Sequence, residues 1–501
     1  MYAYEVEAYW DKDKKSPRQR RRYLGRVDEH GNIIPKRLPR PRGALDHGDV
    51  AFSLEVLSEH DIPGLLAESF PRHADALEVL GVSRAVRPMP FSKVRNWAQG
   101  TTLAEKAVKL SSQRISRTLA EVGGDEAAQR SFFAAWIKRL GSRRTLYYDV
   151  TSLPSLSSLN RLLEYGFDRS GRAGTRRQLN FGVVLDRESG MPLCYRVFPG
   201  SLPDVPTLLG TVRELRALGV EDCFLVLDRG FYSLGNLEAL LRMDAGFLVK
   251  VPFTSGQALR LLARHQRRLL SPASARSYGE RVVHVLQGWM ELGGSKVGYL
   301  LTYEAGKEAE QRERFLRALM EIERRLLGLD LGRWVGRLGR EGVLREVAGS
   351  YRRFFRITRG LEVKRRAKAI SRVLNHFGRE VFFYTGELGW RELLDLYASK
   401  DEVEKVFRAM KTDLKGLPMR AHREATAKGH LFVVFLASLV LAGMRRRLRE
   451  SGLSDRLCLP EVLLELSKVR KVVLHDGSEV LTELTKKQRE IIGKLNLKIE
   501  T

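Results

Sequence analysis

The sequence is short of cysteine, of acid and of long apolar runs. Three cysteines, Cys194, Cys223 and Cys458, stand far apart in 501 residues. None belongs to a CxxC or to a Cys/His pair at zinc spacing, so neither a disulfide framework nor a structural zinc site is expected. The longest apolar run, LFVVFLASLVLAGM from Leu431 to Met444, has 14 residues. That falls short of the ~20 needed to span a bilayer and reads as a buried helix. The opening MYAYEVEAYWDKDKK has no apolar stretch of the kind a signal peptide needs. A soluble, intracellular protein with no membrane partner is expected. Acid is scarce relative to base: 60 Asp and Glu against 87 Lys and Arg, a formal charge of +27. A surface this basic attracts polyanions and gains affinity by releasing counterions from phosphates. Nucleic acid is the first partner to consider. An anionic membrane surface comes second, and a basic structural protein is the bland alternative. Hydrophobic residues make up 43% of the chain, ample for a sizeable core.

Composition and periodicity divide the chain. Residues 1–45 begin aromatic and become densely basic (KSPRQRRRY, PKRLPRPR), which reads as a solvated arm able to track phosphates. Residues 46–142 read as a largely helical DNA-binding region. Within it, LSSQRISRTLAEVG sets Ile115 and Leu119 at i, i+4, and Gln113, Arg114 and Arg117 could face DNA. An ordinary amphipathic surface helix gives the same pattern. From residue 143 the pattern changes. RTLYYDV, LNFGVVLD and PLCYRVFPG read as strands, VPTLLGTVRELRALG as a helix and DCFLVLDRG as a strand buried on both faces. LGNLEALLRMD reads as a helix and GFLVKVPF as another strand. This order predicts an α/β fold with a mixed sheet, antiparallel at the start and parallel afterwards; it is the order of a ribonuclease-H-like sheet, and other α/β folds share parts of it. Residues 255–385 read as an insertion. The catalytic core is expected over 143–254 and 386–455, with a tail over 456–501.

Asp149 and Asp228 are the candidate active residues of the two strands that matter most. The carboxyl ends of parallel strands form the ligand-binding edge of an α/β sheet. Neighbouring strands there would bring the two acids together, and two converging carboxylates call for a cation, with hard oxygen ligands suited to Mg²⁺. Either aspartate alone would be an ordinary strand-end residue. A third acid comes from YASKDEVEKVFRAMKTDLK. At about 100° per residue, Tyr397, Lys400, Glu404, Arg408 and Lys411 share an arc of roughly 80° beside an apolar face. By itself that arc would be a surface salt-bridge ladder.

Taken together these residues resemble the DDE transposases of bacterial insertion sequences, in particular the superfamily with a Tyr-x2-Arg-x3-Glu-x6-Lys signature. YYDVTS carries Asp149, LDRGFYS carries Asp228, and Tyr397, Lys400, Glu404 and Lys411 stand at the signature spacing. Lys400 replaces the usual Arg, which keeps the charge and loses bidentate phosphate geometry. GSLPDVPTL and AKGHLFVVFLA add to the likeness. The resemblance implies a catalytic and metal-binding triad of Asp149, Asp228 and Glu404. It implies two Mg²⁺ ions, with Mn²⁺ as a substitute, and phosphate binding by Tyr397, Lys400 and Lys411. The activity implied is cut-and-paste transposition: cleavage of double-stranded DNA at element ends and strand transfer into a target. A homodimer holding two ends, in the bacterial cytoplasm with the nucleoid, is implied as well. A nuclease of the same fold that cuts without joining, and a DNA-binding protein derived from a transposase that no longer cuts, are the alternatives.

Overall fold

The structure, a computed structural model, describes residues 2–11, 14–28, 31, 33–35, 41–141, 143–154, 163–165, 177–400 and 423–499. In chain order, strands β1 (Tyr2–Asp11), β2 (Ser16–Val27), β3 (Ile33–Pro35) and β4 (Pro41–Asp46) come first. Helices α1 (Gly48–Glu59), α2 (Ile62–Ser69), α3 (Ala74–Val86), α4 (Phe91–Gln99), α5 (Ala104–Ala107), α6 (Ser112–Gly124) and α7 (Glu126–Leu140) follow. Next are β5 (Arg143–Pro154), β6 (Glu164–Tyr165), β7 (Arg177–Asp186), β8 (Pro192–Pro199), α8 (Asp204–Ala217), β9 (Asp222–Leu227), α9 (Leu234–Arg242) and β10 (Gly246–Lys250). Then come α10 (Gly256–Leu269), β11 (Ala275–Tyr278), β12 (Arg281–Leu292), β13 (Ser295–Tyr303), α11 (Ala305–Leu327), α12 (Leu331–Ala348), β14 (Phe355–Ile357), β15 (Val363–Arg365), α13 (Ala367–Leu374), β16 (Arg379–Tyr384) and α14 (Trp390–Ala398). The chain closes with α15 (Glu424–Glu450), α16 (Leu459–Leu466), β17 (Arg470–Leu474), β18 (Glu479–Leu481) and α17 (Lys486–Lys494).

The chain forms two compact units. The first comprises Met1–Pro63, Ala74–Ile115 and Gly443–Thr501. The arm expected over residues 1–45 is not bare: among its described residues β1, β2 and β3 form an antiparallel sheet in that order. The reason is legible afterwards. Tyr2, Tyr4, Val6, Ala8 and Trp10 alternate with a period of two, and Glu5 and Glu7 stand directly opposite Arg22 and Arg20. Opposite charges facing each other across a strand pair favour the ladder. The stretch 456–501 is likewise more than a tail. β17 pairs with β18 on one side and with β4 on the other, and Arg470 pairs with Asp46 at 3.0 Å. Gly48 lets the start of α1 approach this segment, because a Cβ there would lie 2.4 Å from the Leu466 carbonyl oxygen.

The second unit comprises Gly64–His73 and Ser116–Ala442. Its centre is a ten-stranded mixed sheet in the order β11-β12-β13-β16-β10-β9-β5-β7-β6, with β8 on β7. β5, β9 and β10 run parallel; the strands on either side are antiparallel. The expected mixed α/β sheet is therefore present. The stretch 255–385 departs from its reading as a separate insertion, since β11, β12, β13 and β16 extend the same sheet beyond β10. Between β13 and β16 the chain makes a small body of α11, α12, α13 and the β14–β15 ribbon, with Phe315, Leu319, Leu326, Leu344 and Phe355 in its core.

By length and composition α15 could cross a membrane, but 89% of its most apolar 18-residue stretch is buried inside the protein. Its Phe435 packs edge-on against Phe133, and its Phe432 packs edge-on against Phe70 and Phe132 and tilted against Phe133. Glycines set how closely α6 and α15 approach. A Cβ on Gly429 would sit 1.9 Å from the Leu119 carbonyl oxygen, and one on Gly123 would sit 1.8 Å from that of Ala425. The face of α6 that holds Ile115, Leu119 and Val122 is buried, while Gln113 and Arg117 stay exposed. Gly429→Ala must push the two helix backbones apart and is expected to cost about 2–3 kcal/mol, as overpacking does. Gly336→Ala, in α12 with nothing within 4 Å, should instead gain about 0.5–1 kcal/mol. Urea midpoints of the two variants check the contrast.

Candidate active site

Three parallel strands build the site. In the β5–β9 ladder the final pairs are Tyr147 with Val226 and Tyr148 with Leu227. The next residues on each strand are Asp149 and Asp228, so both carboxylates leave the sheet side by side at its carboxyl edge. β5 does not end at Asp149, as the sequence suggested. It runs on to Pro154, paired with β7 alone, and Asp149 lies opposite Val183. β9 does stop there: Asp228 is extended and opens a short 3₁₀ turn, Arg229–Phe231. The Asp149 Oδ1 accepts from its neighbouring Val150 N–H at 2.8 Å.

Asp228 is held by two of the residues the sequence singled out. The Tyr397 hydroxyl donates to Oδ1 at 3.0 Å, and the Lys400 ammonium pairs with Oδ2 at 3.1 Å. Lys400 is only 7% exposed while Asp228 is 43% exposed, so the cation is locked and the carboxylate remains accessible. Burial raises the Asp228 pKa, but the charge of Lys400 and the bonds from Lys400 and Tyr397 outweigh it, leaving the carboxyl below its ordinary value. Tyr397 moves the other way. Its burial first, then the adjacent Asp228 charge, raise its hydroxyl pKa and keep it a donor.

Tyr397 and Lys400 do not ride one continuous helix. α14 ends at Ala398, and Ser399 caps it. The Ser399 hydroxyl turns back to the carbonyls of Asp395 and Leu396, a local bond that competes with continued helix. Tyr147 clamps this corner: its hydroxyl donates to the Leu396 carbonyl at 3.0 Å and meets the Ser399 hydroxyl at 2.5 Å. Because Tyr147 is two residues before Asp149, both side chains leave the same face of β5. The strand that carries one aspartate thus fixes the corner that grips the other. Tyr147→Phe removes both bonds and is expected to cost about 1–2 kcal/mol of stability, readable as a lower Tm. Glu404 and Lys411, the remaining signature positions, lie outside the described residues.

Lys250 completes the row and was missed in the sequence. The β9–β10 ladder ends with Leu227 opposite Val249, so Lys250 follows in register with Asp228. Its ammonium lies 5.6 Å from the centre of the Tyr397 ring and pairs with Glu380 on β16, which also binds Lys307 at 2.9 Å. Burial raises the Glu380 pKa and the two lysines more than reverse it. A cavity of about 360 Å³ opens beside Tyr397, lined among others by Lys250, Tyr278, Arg281, Lys307 and Glu380. The signal was a single charged residue closing the apolar run GFLVK at the same sheet edge as Asp228. Taken alone, such a residue is an ordinary strand end.

Among the described residues no group of three or more His, Cys, Asp or Glu side chains could hold a metal ion. The register sets two aspartates on neighbouring strands here, and the third proposed acid is outside the described residues. Hard, paired oxygen donors of this kind fit Mg²⁺ or Mn²⁺.

Residues 140–304 match the family of the transposase DDE domain. A comparison with curated proteins finds no match. One similar solved structure is the cryo-EM structure of a piggyBac transposase synaptic complex with hairpin DNA. It aligns with 10% identity and a TM-score of 0.36 over 85% of this chain and 82% of that one, too low a similarity to bear on fold or function. The family match contains Asp149, Asp228 and Lys250 and ends before the signature positions at 397–411. The likeness to the DDE transposases is thus carried by that one domain, residues 140–304.

Proposed function

We propose that the protein is a cut-and-paste transposase that cleaves double-stranded DNA at the ends of its element and joins the freed 3′ ends to target DNA, working on a ribonuclease-H-like sheet. The observation that carries this reading is the register of β5 and β9, which sets Asp149 beside Asp228 at the carboxyl edge, with Tyr397 and Lys400 bonded to the second of them. Asp149, Asp228 and Glu404 would hold the divalent cations, two Mg²⁺ with Mn²⁺ as a substitute. When bound, these supply Lewis-acid activation of a water or 3′-hydroxyl and offset charge on the leaving oxygen.

The chain's own residues do the positioning. Lys400, Lys411 and Lys250 set cations around the scissile phosphate, and Tyr397 adds a neutral donor. Charge-assisted bonds to phosphate are the strong ones, and fixed donors need no reorganisation during the step. Water or a 3′-hydroxyl attacks phosphorus as the strand's other oxygen leaves, so no covalent protein–DNA intermediate forms and no Ser or Tyr nucleophile is required. A homodimer that brings two ends together, acting at the nucleoid, completes the proposal.

The test is cleavage of a labelled duplex carrying the element's ends, with Mg²⁺, by wild type and by Glu404→Ala. Nicking by the wild type and binding without nicking by the variant support the reading. Equal nicking by both removes Glu404 from the site. Binding by both with no nicking by either supports a DNA-binding protein that no longer cuts. Nicking with no joined product in a strand-transfer assay supports a nuclease. In the same assay Lys250→Met, which removes charge but keeps bulk, should slow nicking about tenfold at unchanged DNA affinity. An unchanged rate excludes Lys250 from the chemistry.

A further inference from the structure

The β1–β2 ribbon has two faces of different chemistry. Residues directly opposite in an antiparallel pair share a face, and faces alternate along each strand. One face carries Glu5, Glu7, Tyr9 and Asp11 against Arg22, Arg20, Arg18 and Ser16. Its charges are matched, as in the Arg22–Glu5 pair at 3.7 Å and the Arg18–Asp11 pair at 3.4 Å.

The other face carries Tyr2, Tyr4, Val6, Ala8 and Trp10 against Arg26, Tyr23, Arg21, Gln19 and Pro17. It has no acid at all. Tyr2 is 57% exposed, Tyr4 54% and Trp10 61%. The Tyr2 and Tyr4 rings meet Tyr23 at 6.0 and 5.4 Å, and Arg26 lies 6.0 Å from the Tyr2 ring centre. Arg21 donates to Gln19 at 3.3 Å. Among the described residues neither Arg21 nor Arg26 pairs with a carboxylate.

A sheet whose two faces are both in water gains little from burial and needs a partner to be firmly held. We propose that the Tyr2, Tyr4, Tyr23 and Trp10 face binds an unpaired strand of DNA, its bases stacked on the aromatic rings and its phosphates met by Arg21 and Arg26. Charge selects the occupant: cations without acids on an aromatic floor suit a polyanion with π faces, the combination used by single-strand binders. Spacing favours an unpaired strand over a duplex. Side chains at i and i+2 stand about 6.8 Å apart, about twice the ~3.4 Å rise along one strand of stacked DNA. Duplex DNA shows a protein its phosphates and base edges, whereas these rings offer flat faces.

The experiment uses the full chain without divalent metal and a fluorescein-labelled 12-nucleotide oligo(dT), read by fluorescence anisotropy, with a duplex of equal length as the second arm. Tyr4→Ala with Trp10→Ala is expected to weaken oligo(dT) binding at least tenfold and duplex binding less than threefold. Tyr4→Phe with Trp10→Phe keeps the rings and should restore oligo(dT) binding to within threefold. Circular dichroism melting confirms that the variants are folded. Unchanged oligo(dT) affinity in a folded double-alanine variant overturns the proposal. So does equal loss on both DNA forms, which would make the face a duplex site. A wild-type dimer that becomes monomeric in the double-alanine variant while oligo(dT) affinity holds overturns it as well, and makes the face a contact between copies. Binding is read without divalent metal and with the candidate active site left intact in every variant, so failure of the cleavage reading and failure of this one are separable.

Discussion

Asp228→Asn is expected to abolish cleavage, by more than about 10³-fold, while leaving the protein folded and able to bind DNA. At ~1.36 kcal/mol per decade this is ~4 kcal/mol of barrier. The substitution keeps shape and removes the charge, so one of the two converging carboxylates no longer attracts a cation. The remaining contacts change sense as well. Lys400, only 7% exposed and paired with Oδ2, loses its counter-charge, whereas Tyr397 can still donate to the amide oxygen. A single-turnover rate on an end-bearing duplex, with affinity measured in parallel without metal, checks this. A rate within tenfold of wild type would remove Asp228 from the chemistry. Stability should fall modestly, by about 1–2 kcal/mol, because Lys400, only 7% exposed, loses its counter-charge but can still donate to the amide oxygen at the half-exposed position.

The largest stability effect is expected at Asp186→Ala, about 3–5 kcal/mol. Asp186 closes β7, fully buried, and pairs with Arg144 of β5 at 2.7 Å; the Arg144 side chain is only 4% exposed. The same carboxylate oxygen accepts the Ser189 N–H at 2.8 Å and the Ser189 hydroxyl at 2.5 Å, which closes the turn between β7 and β8. Removing the acid strands a guanidinium in the core and opens the turn together. Replacing both partners, Arg144→Met with Asp186→Leu, removes the uncompensated charge and should recover most of the loss, since a buried pair often contributes little over well-packed apolar side chains. Urea midpoints of the two single variants and the double variant test this. If Asp186→Ala costs under 1 kcal/mol, the pair does not hold the start of β5. Because Leu146 lies opposite Asp186 in the β5–β7 ladder, this pair sets the register that ends, three residues on, at Asp149. A folded but slow Asp186 variant would reflect that link.

Much of the second unit was legible because local pattern and tertiary role agree. RTLYYDV, LNFGVVLD, PLCYRVFPG and DCFLVLDRG became strands, and VPTLLGTVRELRALG became α8, stopped by Gly219 at φ +95°. Apolar period and turn residues settle such elements within about ten residues. The buried reading of 431–444 rested on the same kind of signal. Where the reading went astray, the deciding partner was distant in sequence. KSPRQRRRY looked like a solvated arm because its arginines meet their acids only once β2 folds onto β1. The segment 456–501 looked like a tail because β17 completes its sheet with β4, more than 400 residues earlier.

The sequence by itself determined the basic charge, the order of strands and helices around Asp149 and Asp228, and the residue types of the candidate site. Periodicity, composition and spacing are properties of short windows, and a chain carries them before it folds. Only the tertiary structure decided that Asp149, Asp228 and Lys250 form one row, since register between strands is set by which strands pair. It also decided that Ser399 ends a helix between Tyr397 and Lys400, and that both still reach Asp228 from opposite sides of that end. Such a corner depends on Tyr147, some 250 residues earlier in the chain, and no local window holds both ends of that bond.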